Sequence, residues 1–408
     1  MTIKETVLGK NHLDTANTYS NIGVLYIELG DNNKALEYCT KALTIREKVL
    51  GQDHPDTATS YNNIGTVYSH LADYKKALEY YSRGLTIREN VLGLEHPDTA
   101  ASYNNIGEVY NCLADYRKAL KYYSKALTVH EKVFGIEHSH TATSYNNIGN
   151  IYNSLADYRK ALKYYSKALA VHEKVFGIEN SHTATSYHCL GSVYYSMGQY
   201  EKALEFYSKA QVIFEKKLGT KHPDMSKLYN NIGLVYVYLG DYNNALEFFF
   251  KDLNICEKVY GVEHPSTATS YNNIGAICER LDDYDKALEY YTKALSIQKK
   301  VLGHNHPSTA TSYNNIGGVY NSVGDYDKAL KYYFMDLAIC EKVLGQNHLE
   351  TATSYNNIAS TYYNLGEYEK SLEYLSKSFA IYERVLGLEH PDTQTIRENI
   401  DIVKQEIG

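Results

Sequence analysis

A glycine returns every 42 residues along this chain, at Gly23, Gly65, Gly107, Gly149, Gly191, Gly233, Gly275 and Gly317, with Ala359 completing the series and no step carrying an insertion. Self-similarity at a fixed period of this size marks a solenoid, because one unit cannot bury its apolar face alone and stacking neighbours supply the core. A tyrosine stands four residues before every slot, from Tyr19 and Tyr61 to Tyr355. The nine slots count nine units. A chain of 408 residues would otherwise be read as two or three globular domains, but the repeat makes it one array.

The unit from Pro55 to His96 shows what each copy folds into. Pro55, Asp56 and Thr57 signal a helix start, since proline suits the first turn and an acidic or hydroxyl residue complements the exposed N–H groups. Ala58, Tyr61, Gly65 and Tyr68 recur at helical spacing and predict a first helix, helix A, ending near Leu71. After the turn Ala72-Asp73-Tyr74, a second stripe of Ala77, Tyr81 and Leu85 continues to Val91 and Leu92 and predicts helix B, with Gly93 as its left-handed cap. Gly65 in mid-helix costs about 1 kcal/mol relative to alanine. Its return predicts an offsetting close approach, with Gly65 and Ala77 letting the two helices pack antiparallel.

Tyr61, Gly65, Tyr68, Ala77 and Tyr81 resemble the signature of the tetratricopeptide repeat, and Ala126, Ala168, Ala210 and Ala294 add its later small position. The family's unit is about 34 residues long. It ends helix B with a proline; this chain has Glu89 there and spends the extra length on helix B and its loop. The LGxEHPDTA joints and the NNIG slot are similar to the kinesin-light-chain subfamily. The resemblance implies an all-α fold, a right-handed superhelical solenoid of antiparallel two-helix repeats with a C-terminal capping helix. Residues 1–11 are expected to end a helix B, on the match of Lys4 to Gly9, residues 12–391 to form nine repeats, and residues 392–408 to cap them. In that last segment Arg397, Asp401 and Lys404 replace tyrosine, glycine and tyrosine and give the polar outer face that a cap needs. The start inside a repeat predicts either an upstream continuation or self-association through the N-terminal end.

Charge and cysteine usage exclude several classes. The net charge is -7 with basic residues scattered among acidic ones, so neither a nucleic-acid footprint nor a membrane-binding patch is present. Cys39, Cys112, Cys189, Cys256, Cys278 and Cys340 fall at different places in different repeats and read as free thiols of a reducing compartment. With no signal peptide and no apolar run of spanning length, a cytoplasmic protein is expected. The 43 tyrosines sit mostly at fixed repeat positions, where packing is their first explanation.

The candidate site is a ladder formed by the first asparagine of the NN pair: Asn62, Asn104, Asn146, Asn230, Asn272, Asn314 and Asn356. Helical geometry sets it on a stripe rotated away from the tyrosine core, and in tetratricopeptide solenoids that stripe lines the concave surface. An amide both donates and accepts, so such a ladder can hold the backbone of an extended peptide whatever its sequence. The opposing reading is a structural bridge between helices, and the second asparagine, as in Asn63, is assigned to that role. Positions that vary would set specificity, among them Glu108, Asn111, Asn150, Asn153, Tyr195, Glu279 and Asn321. The chaperone-binding relatives use a lysine and arginine clamp for a terminal carboxylate; the matching positions here hold asparagine and threonine, with Lys227 the exception.

His138, His140 and His182 lie in joints where histidine recurs beside proline, which favours a loop role over metal binding. The unit around Gly191 carries His188 and Cys189 in place of the paired asparagines, Asp252 and Asp336 replace a small alanine, and Ser371 and Ser378 replace both small residues of the last helix B. No phosphate loop, nucleophile elbow or catalytic carboxylate pair occurs. No enzyme, cofactor or metal is expected. The function expected is a protein-interaction scaffold that binds an extended peptide segment in its groove. Two other readings stand beside it: a self-assembling structural module, and the sensor array of a larger signalling protein.

Overall fold

The computed structural model describes residues 9, 11–29 and 31–408. The expectation for Lys4 to Leu8 lies outside them. Among the described residues there are helices and no strands. In the first of two compact units, Met1–Lys217, the helices are α1 (Leu13–Glu28), α2 (Asn32–Leu50), α3 (Pro55–His70), α4 (Tyr74–Val91), α5 (Pro97–Cys112), α6 (Tyr116–Phe134), α7 (Ser139–Ser154), α8 (Tyr158–Phe176), α9 (Ser181–Ser196) and α10 (Tyr200–Leu218). The second unit, Leu218–Gly408, holds α11 (Pro223–Tyr238), α12 (Tyr242–Val259), α13 (Pro265–Arg280), α14 (Tyr284–Val301), α15 (Pro307–Ser322), α16 (Tyr326–Val343), α17 (Leu349–Asn364), α18 (Tyr368–Leu386) and α19 (Pro391–Ile407). Odd numbers up to α17 are first helices, and each packs on the even-numbered helix that follows it. Among the described residues no helix is long and apolar enough to cross a membrane.

The helix boundaries follow from local chemistry. The joint histidine is the N-cap: His54 Nδ1 accepts from the backbone N–H of Asp56 at 3.1 Å, and His12, His96, His138, His222, His264, His306, His348 and His390 repeat the bond. Asn180 takes the same role before His182. A side-chain acceptor here satisfies one of the helix's unpaired donors. That gives His138 the helix-positioning role expected of it, whereas His140 and His182, expected in the same joints, stand in the first turns of α7 and α9. Between the two helices of a hairpin, Asp73 accepts from the backbone N–H of Lys76 at 3.2 Å, and Ala72 adopts a left-handed φ of 55° to make the turn.

At seven of the eight glycine slots what faces the glycine is a ring, and at Gly23 it is the Cys39 thiol. A Cβ built at Gly65 would lie 2.7 Å from Cδ1 of Tyr81, and at Gly107, Gly149, Gly191, Gly275 and Gly317 it would strike Tyr123, Tyr165, Tyr207, Tyr291 and Tyr333 in the same way. The close approach predicted from the glycine is therefore between helix A backbone and a helix B side chain, with Ala77 buried beside it but not the contact itself. The phenol then reaches the residue after the glycine. Tyr81 pairs with Thr66 at 3.0 Å, Tyr123 donates to Glu108 at 2.6 Å, Tyr165 to Asn150 at 2.5 Å and Tyr207 to Ser192 at 3.2 Å. Where Leu234 offers no acceptor, the ring is Phe249.

A second set of bonds joins successive hairpins. The tyrosine before the slot donates to a glutamate of the preceding helix B: Tyr61 to Glu47 at 2.5 Å, Tyr103 to Glu89 at 2.6 Å, Tyr145 to Glu131 at 2.7 Å and Tyr271 to Glu257 at 2.6 Å. Glu89 thus does positive work at the place where the family has its proline. Burial and the neighbouring carboxylate push the Tyr61 phenol up to about 12. Stacked pairs such as Tyr68 with Tyr80, centroids 5.5 Å apart, account for further tyrosines as packing.

Candidate functional site

The asparagine ladder lies along the first helices and divides into four kinds of position. Asn62 is buried between hairpins; in the orientation its neighbours require, its oxygen accepts from Arg88 Nη2 and from Ser102 Oγ, each at 3.2 Å. Asn62 is therefore a bridge, and the expectation that it faces a guest is corrected by the guanidinium packed against it. Asn230, Asn272 and Asn314 are half-buried, and each oxygen accepts one bond from the next repeat: from Asn273 at 2.7 Å, Ser312 at 3.2 Å and Asn357 at 2.7 Å. Their amide nitrogens remain to donate. Asn104 and Asn146 are also half-buried, but their oxygens are buried without any partner. Asn356 lines a depression of about 300 Å³ together with Ser360, Tyr363 and Asn399.

The second asparagine has the structural role expected of it, since Asn63 donates to Ser20 at 3.2 Å, and Asn273 and Asn357 donate to the ladder as above. Of the variable positions, Glu108 accepts through Oε2 and Asn150 through its side-chain oxygen from phenols of their own repeats. Asn321 accepts from Asn364 at 3.3 Å, the Asn153 oxygen has no partner, Asn111 is half-buried, and Tyr195 lies 6.0 Å from Tyr200, centroid to centroid. Glu279 accepts from Tyr291 at 2.9 Å, and burial raises its carboxyl above the ordinary value. Gly318 leaves that carboxylate room: a Cβ there would lie 3.5 Å from Glu279 Oε1 and 3.7 Å from the Tyr333 oxygen.

A polar node that the repeat pattern did not single out sits at most joints between helix B and the next helix A; Phe214 and Leu228 hold its positions at one joint, Tyr382 and Ile396 at another. Arg46 donates to Ser60 at 2.8 Å, Arg88 to Ser102 at 2.9 Å, and Gln298 accepts from Ser312 at 2.6 Å, while His130 and His172 lie 2.8 Å from Ser144 and Ser186. Where Ile396 replaces the serine, its counterpart is Tyr382, and the two share an apolar cluster. Burial drives the His172 imidazole down to about 4, so it is neutral at physiological pH. The signal was present in the sequence, because the serine recurs at the 42-residue step from Ser60 onward and gives way to Leu228 and Ile396 where the partner position holds Phe214 and Tyr382.

Asp252 and Asp336 bring carboxylates to two of these nodes. Asp252 accepts from Ser226 at 2.5 Å, Ser270 at 2.6 Å and Cys256 at 3.5 Å, and burial still raises its carboxyl. Asp336 has only Ser354 at 2.6 Å and the weak thiol donor of Cys340 at 3.4 Å, because Ala310 stands where Ser226 stood. Burial pushes its carboxyl from 3.8 up to about 6. A carboxyl raised in the folded state binds its proton more tightly than in the unfolded chain, so its contribution to stability is full in acid and is lost as the pH rises through about 6. Asp336→Asn is expected to remove this fall, leaving a flatter pH profile of the melting temperature between pH 4 and 7; an unchanged profile would place the titration elsewhere.

No three His, Cys, Asp or Glu side chains group to hold a metal ion among the described residues. What the geometry defines is a class: a tandem array of helical hairpins whose first helices carry amide side chains at a recurring position. Tetratricopeptide repeat models match residues 14–90, 67–129, 98–174, 182–251, 251–300, 266–333 and 351–392, and the chain belongs to that family. Curated proteins gave no match. Among solved structures, it is similar to the quorum sensor NprR from B. thuringiensis in its apo form, at 15% identity over 93% of this chain and 99% of that one, with a TM-score of 0.60. It is similar also to a STAND protein with a tetratricopeptide repeat sensor, PH0952 from Pyrococcus horikoshii, at 17% identity over 94% of this chain and 55% of that one, with a TM-score of 0.62. BtubC (BKLC) from P. vanneervenii matches at 21% identity over 57% of this chain and 91% of that one, with a TM-score of 0.49. At these identities the likeness is one of fold.

Proposed function

We propose that the chain is a non-catalytic scaffold whose first-helix face holds an extended peptide segment of a partner protein. The observation that carries this reading is the hydrogen-bonding capacity left along the ladder. Asn230, Asn272 and Asn314 accept from their neighbours yet keep amide N–H groups, and Asn104 and Asn146 turn unpaired oxygens into the wall. A buried acceptor without a partner is costly, and a rotation that presents it to a guest's N–H breaks no existing bond. Regular spacing suits an extended backbone, whose own groups recur regularly. The reading extends to the quaternary level only as binding of a guest.

The test is a random peptide library displayed against the wild-type chain, followed by titration of a selected peptide against Asn104→Ala and Asn146→Ala combined. Affinity is expected to fall at least tenfold with helicity unchanged, as two good hydrogen bonds at about 1 kcal/mol each allow. Unchanged affinity, or a library that yields no binder, would sink the reading.

A further inference from the structure

Six repeats apart, two joints use the same positions in opposite ways. In the first, Arg88 extends its guanidinium into a cradle of neutral acceptors: the carbonyl of Asp98 at 2.9 Å, Ser102 Oγ at 2.9 Å, Thr59 Oγ1 at 3.3 Å and the Asn62 oxygen at 3.2 Å. Arg46 is held in the same way by the Asp56 carbonyl at 3.0 Å, Ser60 at 2.8 Å and Asn17 at 2.8 Å. At the joint of α15, α16 and α17 the cradle is retained as Thr311, Asn314, Ser354 and Glu350, but Cys340 replaces the arginine and leaves a cavity of about 210 Å³. A water occupies about 30 Å³ of liquid, so this space holds several. The remaining change adds charge: Gly84 of the occupied cradle corresponds to Asp336, which is only 4% exposed and lines the empty one.

We propose that this cavity is a binding site for a guanidinium group supplied from outside the chain, that of an arginine side chain. The shape follows from the repeat itself, since the same backbone positions already hold an arginine's guanidinium twice in this protein. Charge agrees with shape. Asp336 Oδ1 has no donor better than a thiol at 3.4 Å, Glu350 lines the same cavity, and among the described residues neither carboxylate has an ion-pair partner. Guanidinium suits such a site better than ammonium, because its planar fork offers donors to the carboxylate on one edge and to hydroxyl and amide oxygens on the other. At the comparable Asp252 both oxygens are taken by serines, at 2.5 and 2.6 Å, and no site is proposed there. The inference is independent of the peptide reading, because a small probe would enter the cavity whether or not a peptide lies along the helices.

The test titrates the full chain with Nα-acetyl-L-arginine methylamide, with the citrulline analogue as its uncharged isostere and free L-arginine as a second arm. Saturable binding of the acetylated probe at least tenfold tighter than the citrulline analogue is expected. Equal affinity for both, or no binding of either, overturns the proposal. Binding of free arginine in preference to the capped probe would overturn the side-chain assignment in favour of a free metabolite. Asp336→Ala, a residue that Ala126, Ala168, Ala210 and Ala294 show this position accepts, is expected to abolish binding, while Asp252→Ala leaves it unchanged. Cys340→Arg should fill the cavity from within, abolish probe binding and raise the melting temperature. Probe binding to that variant as to wild type would also overturn the site.

Discussion

Replacing Arg88 by alanine is expected to lower stability by about 3 kcal/mol, concentrated at the joint between α4 and α5. The side chain is buried and donates to four groups of two different helices, Asp98, Ser102, Thr59 and Asn62. Its deletion leaves a cavity and removes donors from buried acceptors, each of which costs about 1–3 kcal/mol when unsatisfied. Not all of that is realised, since Ser102 keeps a long bond to the Asp98 carbonyl at 3.4 Å and the charge itself no longer has to be buried. In a repeat array each unit contacts only its neighbours, so the effect should appear as faster amide hydrogen exchange in α4 and α5, with little change in α1. The chain's own variants supply the controls. Arg88→Gln copies the Gln298 node and should recover much of the loss; Arg88→Tyr with Ser102→Ile copies Tyr382 and Ile396 and should be better than either single change. Strictly additive single effects would show that these residues do not form one node.

The architecture was legible because the repeat isolates positions that cannot drift. Helix A was expected to end near Leu71 and ends at His70, and helix B was expected to reach Leu92 and reaches Val91, with Gly93 left-handed at φ 91°. The joint histidines were assigned to positioning the next helix, and N-capping is how they do it. The candidate site was less legible, for a physical reason. The stripe argument places Asn62 and Asn314 on the same face of equivalent helices, yet whether the amide is consumed depends on what helix B of the same hairpin sends against it. Arginine at position 88 locks Asn62 into the wall, whereas Cys340 is too short to reach Asn314. Likewise Glu108 and Asn150 were read as free to vary for a guest, when the tyrosine of their own hairpin had already bonded to them. Periodicity reports which way a side chain points. It does not report whether a neighbour has arrived there first.

Gly233→Ala is expected to destabilise the chain by about 2 kcal/mol, against the direction of helix propensity. In an open helix the exchange would gain about 1 kcal/mol. Here the added Cβ would lie 2.6 Å from Cε1 and 2.8 Å from Cδ1 of Phe249, a ring that is 1% exposed and held by its surroundings. Overpacking a filled core in this way costs about 1–3 kcal/mol, more than the propensity gain returns when the ring cannot move. The ninth hairpin shows the compatible solution: its slot is Ala359, and the facing residue is Leu375, both buried. Gly233→Ala with Phe249→Leu should therefore be more stable than the two single losses predict, with a coupling of at least about 1 kcal/mol in a double-mutant cycle read from urea unfolding. Phe249 is the ring to use because it has no phenol, so its removal breaks no hydrogen bond, whereas Tyr207 would also lose Ser192. If alanine at 233 stabilised the chain on its own, the ring could yield, and the recurrence of glycine at the 42-residue step would need a cause other than the aromatic packed against it.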